Sequence, residues 1–572
     1  MLKRYYESEN IKDFKELLQR SEQLYGLKHA YRELDPERNM HSYTFVQLRE
    51  DVDALGTRLL SMGLAGKHFA LVGDSSYSYV VSYLAVACGV GVIVPLDKEL
   101  SMEDLHKLIC KSDAEVLLYS QSLEKDVMKM QGDCPEVKTF INISMYEDPE
   151  GQISITDLIE EGKREINAGN DAFKNIAIER EAMSSILFTS GTTGANKGVM
   201  LSQKNILSVI HSAFCMFKLA DVSFSVLPIN HTYEFNLHVL GSIYDGITLC
   251  FNDSIKHVKE NLLTYKPGMS LMVPMIVESL YKNIWKEAEK NNLKKHLQYG
   301  IWFSNLIRKI GIDKRDLFFK PVHQGMGGNL KIIVCGGAPL RPDIVKGFDN
   351  LGISVFNGYG ITECAPLISS NCTLKNIPGS VGFVIPDNRV RIADTDADGI
   401  GEIQVQGDNV MLGYYKDPVA TRKTFTEDGW FKTGDLGYMD RKGALYITGR
   451  EKNLIILANG KNVHPEELEE YILENLAYVK EVVVFAPLSS DGHEVMIMAE
   501  AYLDQDFLVE HGVENAKDIL KDDISKLNRR LSGYKRINDV CLREVEFEKT
   551  STRKIKRYCL EKEAQTYAKH HH

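Results

Sequence analysis

The sequence predicts an α/β protein: a large N-terminal domain of layered α/β subdomains plus a small β-rich subdomain, and a small α+β C-terminal domain. Three observations predict it. The chain has 572 residues, too long for one ordinary domain. About the first 180 residues alternate helical and strand patterns, the mark of layered α/β structure with largely parallel strands. From about residue 380 the texture shifts to short alternating strands, and after Gly449-Arg450 the chain mixes strands with helices. The boundary is set near residue 450, giving domains of 1–450 and 451–572.

The elements follow in order. "YTFVQLREDVDALGTRLLSMGL" repeats apolar residues at helical spacing and "HFALVGD" follows as a strand. "MEDLHKLICKSD" and "AEVLLYS" repeat that unit. The most apolar run, "YVVSYLAVACGVGVIVPLD" (79–97), is just short of a bilayer span and is interrupted by Ser82, Gly89 and Gly91. It reads as a buried helix, a glycine break and the strand "GVIVPL". Further strands are expected at "KIIVCGG" and "ISVFNGYG", then at "RVRIAD" and "GEIQVQG" in the β-rich unit. The last segment adds strands at "EVVVFAPL" and "VMIMAEAYL" and a helix at "PEELEEYILENL".

Composition excludes several classes. A formal charge of −11 argues against a general nucleic-acid binder. The charged N-terminus, "MLKRYYESENIKDFKELLQR", has no apolar core and is not a secretory signal. The ten cysteines are scattered without any C-x-x-C, which reads as free thiols in a reducing compartment, with neither a disulfide framework nor a zinc site. The terminal run His570–His572 reads as the stub of a purification tag.

The most informative stretch is "FTSGTTGANKG" (188–198), between the strand "SSILFT" and the strand-helix "VMLSQKNILSVIHSAF". It therefore lies at the carboxyl end of a strand, where α/β sheets bind ligands. Its glycines, Gly191 and Gly194, let backbone approach phosphate oxygens closely. Thr189, Ser190, Thr192 and Thr193 add hydroxyl donors, and Lys197 adds a mobile positive charge. It is not a Walker loop, because the lysine precedes a glycine and no hydroxyl follows it. "TSGTTGANKG" resembles the signature loop of the adenylate-forming superfamily, which contains acyl-CoA synthetases, peptide-synthetase adenylation domains and luciferases.

The remaining motifs keep that family's order. "LPINHTYEF" (227–235) is similar to the entrance of the acyl pocket in acyl-CoA synthetases, which makes His231 a candidate at the carboxylate site. "CGGAPL" (335–340) corresponds to the adenine side of the nucleotide pocket, with Gly337, Ala338 and Pro339 as candidates. The preceding "HQGMGGNLKIIV" resembles the bacterial-type long-chain fatty acyl-CoA synthetases in particular. In "NGYGITE" (357–363), Gly358 and Gly360 flank Tyr359, whose ring face suits adenine stacking. Thr362 can bond a phosphate oxygen, and Glu363 supplies a hard carboxylate for Mg²⁺. Asp435, in "WFKTGDLGYMD", suits a ribose diol, and Arg450 offers a donor fork to ribose or phosphate.

The resemblance places Lys452 at the hinge of a mobile C-terminal domain and Gly460 on the loop lining the thiol's approach. Lys554, in "FEKTSTRKIKR" (547–557), matches the catalytic lysine. This tail departs from relatives, because Glu548 takes the position of a proline and Arg553 that of a glycine. "DTDADG" (394–399) opens like an EF-hand loop, but Val405 stands where a bidentate glutamate is required, so it is read as a hairpin turn.

The resemblance implies a two-step reaction: a fatty acid and ATP give an acyl-adenylate and pyrophosphate, then the thiol of CoA takes the acyl group and AMP leaves. ATP, Mg²⁺ and CoA are the implied cofactors and co-substrates. Two alternatives stand beside it. One is a ligase that loads an acyl carrier protein; the other is a nucleotide-binding pseudoenzyme with an altered lysine loop. The expected location is cytoplasmic, with any membrane contact peripheral to the inner face.

Overall fold

The computed structural model describes residues 6–130, 132, 134–146, 152–189, 196–457, 461–486, 496–513, 515–549 and 555–557. By compactness the chain divides into two units. The first comprises Met1–Gly191, Ala195–Arg389 and Gln406–Phe431; the second comprises Thr192–Gly194, Val390–Val405 and Lys432–His572.

The first unit is layered α/β, as expected. A nine-stranded sheet runs, in spatial order, Phe383–Val384, Leu367–Ser370, Ser354–Gly360, Ile332–Cys335, Met269–Met272, Val222–Ser225, Thr248–Phe251, His29–Leu34 and Met40–Thr44. The six strands from Ser354–Gly360 to His29–Leu34 pair in parallel, and antiparallel strands close both edges. An eight-stranded sheet runs Gly413–Tyr414, Lys197–Ser202, Met183–Thr189, Val92–Leu96, His68–Val72, Ala114–Tyr119, Thr139–Asn142 and Ile153–Ser154. Its parallel body ends in an antiparallel hairpin, Met183–Thr189 with Lys197–Ser202.

The apolar run at 79–97 is the helix Tyr77–Ala85, a short π-helical segment Val86–Val90 kinked at Gly89, and the strand Val92–Leu96. Every residue of Tyr77–Ala85 is buried. The helix packs on His29–Leu34 of one sheet and His68–Val72 of the other, which is why it is buried on every side. Its first residue anchors a buried polar knot. Glu33 accepts from the Tyr77 amide at 2.7 Å and from the Tyr146 hydroxyl at 2.6 Å, and Asp51 accepts from the Tyr77 hydroxyl at 2.8 Å. Burial raises the Glu33 carboxyl above its usual range. Among the described residues, no helix is long and apolar enough to cross a membrane.

The second unit contains most of a four-stranded sheet, Arg389–Ala393, Gly401–Gln406, Phe431–Met439 and Leu445–Arg450. A three-stranded sheet, Val479–Phe485, Met498–Leu503 and Asp539–Arg543, packs with the helices Pro465–Asn475 and Ala516–Asn528 around Leu468, Ile472, Val484, Ala501 and Ile524. The "DTDADG" stretch is a turn between neighbouring strands. Asp396 Oδ1 accepts from the amides of Asp398 and Ile400, both at 3.0 Å, so this carboxylate closes its own turn.

Helices Phe45–Ser61 and Ile155–Asn167 cross with backbone nearly touching. A Cβ at Gly162 would stand 2.0 Å from the Ala54 carbonyl oxygen, a backbone atom that cannot swing aside. Gly162→Ala gains helix propensity of about 1 kcal/mol but forces the crossing apart, which costs about 1–3 kcal/mol. We expect net destabilisation, read as a lower urea midpoint; an unchanged or higher midpoint would show that the crossing has slack.

Candidate active site

The hairpin carrying the phosphate-type loop is closed by the Thr189–Lys197 pair, the last facing residues of its two strands. Ser190, Gly191, Thr192, Thr193 and Gly194 lie outside the described residues. The second strand is paired on its other edge by Gly413–Tyr414, with Tyr414 opposite Val199. This register puts the Tyr414 ring beneath Lys197, whose Nζ lies 4.7 Å from the ring centroid. The hydroxyl of the same tyrosine donates to Glu363 Oε1 at 2.9 Å. Burial, then the neighbouring Glu363 carboxylate, pushes the Tyr414 phenol well up, so it stays a donor. Lys197 and Glu363, expected to serve phosphate and Mg²⁺, therefore share one ring.

Glu363 sits in the 3-10 turn Thr362–Cys364, between the antiparallel strands Ser354–Gly360 and Leu367–Ser370. Two buried asparagines hold this turn. Asn409 Nδ2 donates to the carbonyls of Cys364 at 3.2 Å and Leu367 at 3.0 Å, and Asn236 Nδ2 donates to Ala365 at 3.2 Å. Met411 N donates to the Glu363 carbonyl at 2.9 Å. Gly360 is required, since a Cβ there would meet the Pro366 carbonyl oxygen at 1.9 Å. Glu363 is half-buried, with one oxygen engaged by Tyr414. A hard carboxylate linked through Tyr414 to Lys197 fits Mg²⁺, which takes one or two carboxylates and fills its remaining positions with nucleotide oxygens and water.

The expected adenine segments come together at the carboxyl ends of adjacent parallel strands. Cys335 and Asn357 are register partners, so the turn Gly337-Ala338-Pro339 leaves the sheet beside Gly358 and Tyr359. Gly337 has φ +89°, and all three turn residues are exposed. Tyr359 is half-buried. The "HTYEF" segment is tied to the same edge, since the Tyr233 hydroxyl donates to the Val334 carbonyl at 2.9 Å. The half-buried His231 therefore stands two residues before an anchor on the strand that leads into Gly337.

Behind His231 lies a chain that the sequence did not announce. Ser223 Oγ meets His238 Nε2 at 2.5 Å, and His238 Nδ1 meets Glu234 Oε1 at 2.9 Å. The order matches a hydrolase triad, but Ser223 is wholly buried in a central strand and also bonds the Met269 carbonyl at 3.3 Å. No substrate reaches it, so the chain serves to lock Tyr233–Val239 against the sheet. Tyr414, Asn236 and Asn409 also escaped the sequence reading. They belong to no motif, and only nearness in space singles them out.

The other expected residues belong to the second unit. Asp435 and Arg450 are register partners on antiparallel strands, with Arg450 Nε 2.9 Å from Asp435 Oδ1. Asp435 is buried, while Arg450 is half-buried. Lys452 is exposed in the 3-10 turn Glu451–Asn453, directly after the strand Leu445–Arg450. Gly460, Arg553 and Lys554 lie outside the described residues. The residues that bracket Lys554 are anchored: Lys549 and Ile555 form an antiparallel bridge, and the Lys556 amide donates to the Glu548 carbonyl at 2.8 Å. Lys549 is paired with Glu481 and Arg557 with Glu469, whose carboxyl is pushed up to about 7 by burial.

The AMP-binding enzyme family model matches residues 19–415, and the AMP-binding enzyme C-terminal domain model matches residues 452–569. The chain is 28% identical over 483 residues to the long-chain-fatty-acid–CoA ligase FadD15 of Mycobacterium bovis, covering 80% of this chain and 78% of that one. It is 25% identical over 517 residues to the chloroplastic long-chain-fatty-acid–[acyl-carrier-protein] ligase AEE15 of Arabidopsis thaliana, covering 77% and 70%. Its fold matches the O-succinylbenzoate coenzyme A synthetase of Bacillus subtilis solved with ATP and magnesium, with a TM-score of 0.71 at 21% identity over 95% and 98% of the two chains. The chain belongs to the AMP-binding enzyme family.

Proposed function

We propose that this protein is an AMP-forming ligase that activates a long-chain fatty acid with ATP and passes the acyl group to the thiol of CoA. The observation that carries the proposal is the Lys197–Tyr414–Glu363 contact, which unites a phosphate-binding cation and a metal-binding carboxylate at one edge. In the first step a carboxylate oxygen attacks the α-phosphorus of ATP and pyrophosphate leaves. In the second the CoA sulfur attacks the acyl carbonyl, loses its proton and expels AMP.

The residues divide the work by chemistry. Thr189, Lys197 and the loop 190–194 hold the β- and γ-phosphates. Gly337, Ala338, Pro339, Gly358, Tyr359 and Gly360 form the adenine slot, with Tyr359 as its stacking face. Thr362 bonds a phosphate oxygen, and Glu363 holds Mg²⁺, which when bound supplies charge neutralisation at the phosphates. His231 guards the carboxylate's approach. Asp435 accepts from the ribose hydroxyls, for which Arg450 pre-orients its carboxylate. Lys554 offsets the charge gathered as two anions are pushed together, a contribution of the kind worth about 10²–10³ in rate. The segment 451–572 swings about Lys452 between the steps and presents Gly460 to the thiol channel. This division at 450 is one of motion, distinct from the compact units of the fold.

A surface feature supports a cytoplasmic enzyme working at the inner face of a membrane. On the helix Lys294–Arg308, Tyr299, Trp302, Phe303 and Leu306 repeat at helical spacing yet face solvent, with Tyr299 74% and Trp302 61% exposed. The exposed Lys294, Lys295, Lys309 and Lys314 flank this stripe. An apolar face rimmed by lysines suits an anionic bilayer, the reservoir of a long-chain acid.

Two experiments test these readings. Carboxylate-dependent ATP–pyrophosphate exchange without CoA should respond to palmitate and not to acetate, and should be lost in Lys554→Ala. That variant should still form thioester from a supplied acyl-adenylate; equal loss of both half-reactions would remove the split role of Lys554. Absence of exchange with every acid alongside normal ATP binding would favour the pseudoenzyme, and product with acyl carrier protein but not CoA would reassign the thiol. In the second experiment, the protein should sediment with vesicles containing phosphatidylglycerol, and Trp302→Glu/Leu306→Glu should leave it in the supernatant with exchange activity intact. Equal sedimentation of both proteins would exclude this face as the docking surface.

A further inference from the structure

The helix Met102–Lys111 carries His106 and Cys110 one turn apart, the i and i+4 positions that share a face. Cys134 and Glu136 come from the connection between the helix Glu124–Met130 and the strand Thr139–Asn142. The fold brings the four together: their ligand atoms, an imidazole nitrogen, two thiol sulfurs and a carboxylate oxygen, all lie within 4.8 Å of one another. Among the described residues no other group of three or more such side chains converges in this way.

We propose that His106, Cys110, Cys134 and Glu136 form a closed, structural zinc site, separate from the reaction centre. The ligand set selects the metal, because two thiolates with an imidazole suit zinc, whereas Mg²⁺ and Ca²⁺ take oxygen ligands. The dimensions agree. Ligands about 2.0–2.3 Å from a tetrahedral ion lie roughly 3.3–3.8 Å apart, so small side-chain rotations close the cluster on the ion. Both cysteines are free thiols, and the cation takes the place of their two protons.

The burial gradient fits as well. Cys134 is fully buried within the core formed by Leu105, Ile109, Val127 and Val137, His106 and Cys110 are half-buried, and Glu136 is exposed. The ion therefore sits at the margin of that core with four protein ligands and no open coordination position, the arrangement of a structural rather than a catalytic zinc.

The site has a bearing on the hairpin described above. The same helix ends at Lys111, whose ammonium donates to the Asn196 carbonyl at 2.5 Å, next to Lys197. Pinning the helix to the Cys134–Glu136 connection thus steadies one support of the phosphate-type loop. C-x-x-C spacing is absent because the ligands come in two pairs, H-x-x-x-C and C-x-E, from separate elements.

The test uses the full-length chain and the metal alone. Protein purified without chelators should carry one zinc per chain by mass spectrometry, over any metal on His570–His572. After zinc removal, Co²⁺ should produce a thiolate-to-metal charge-transfer band, which histidines by themselves cannot give. Cys110→Ser and Cys134→Ser should each lower Co²⁺ affinity at least about tenfold and weaken the band. Glu136→Gln, at an exposed position, should keep the fold by circular dichroism yet bind Co²⁺ more weakly, and zinc should raise the Tm of the parent chain more than that of any of the three variants. Absence of the band in the parent chain, equal affinity in Cys110→Ser, or a Cys110–Cys134 disulfide in protein isolated under anaerobic conditions would overturn the proposal.

Discussion

One tyrosine joins the two halves of the candidate site. Tyr414 presents its ring to Lys197 and its hydroxyl to Glu363, so a cation and an anion are held near one another without neutralising each other in a direct ion pair. A direct pair would tie up the two charges proposed to meet phosphate and metal. The ring attracts the ammonium through its quadrupole at about 0.5–2 kcal/mol, while the hydroxyl orients one carboxylate oxygen. This depends on the strand Gly413–Tyr414 adding to the hairpin in register, and on the Thr362–Cys364 turn staying rigid. The main-chain bonds from Leu412 to Met200 and from Tyr415 to Gly198 secure the first, and Asn236 and Asn409 secure the second.

The wider scaffold follows from the same need for fixed edges. Both sheets are parallel through their bodies, so many loops emerge at one end of each, and the wholly buried helix Tyr77–Ala85 packs against both. Such a helix leaves few places to satisfy polar groups, which explains why Glu33 and Asp51 are spent on its first residue. The locked Ser223–His238–Glu234 chain does similar work behind His231. Buried polar networks of this kind hold neighbouring elements in a single arrangement because an unpaired member would be costly.

In the second unit Asp435 and Arg450 are held together by charge. Asp435 is buried and would be expensive there as a lone anion; Arg450 across the strand pair offsets that cost and orients its oxygens. The residues bracketing Lys554 are tied through Lys549 and Arg557 to carboxylates of the same unit. Glu548 belongs to this anchored stretch, because its carbonyl accepts from the Lys556 amide at 2.8 Å.

By itself the sequence determined the class of fold, the element pattern and the family. Short-range signals carry these: helical and strand periodicity in "MEDLHKLICKSD" and "AEVLLYS", and a loop, "TSGTTGANKG", whose residue order resembles the family's signature. Tertiary structure alone decided which residues meet. Tyr414 reaches Glu363 across 51 positions of chain and Asn236 reaches Ala365 across 129, and no local pattern encodes pairings that depend on strand order. The cysteines show the same limit. They read as scattered, yet Cys110 and Cys134 converge with His106 and Glu136 because a helix and a loop fold onto one apolar core. Periodicity reports which face of an element is buried, whereas a site is made by what the opposing element brings to that face.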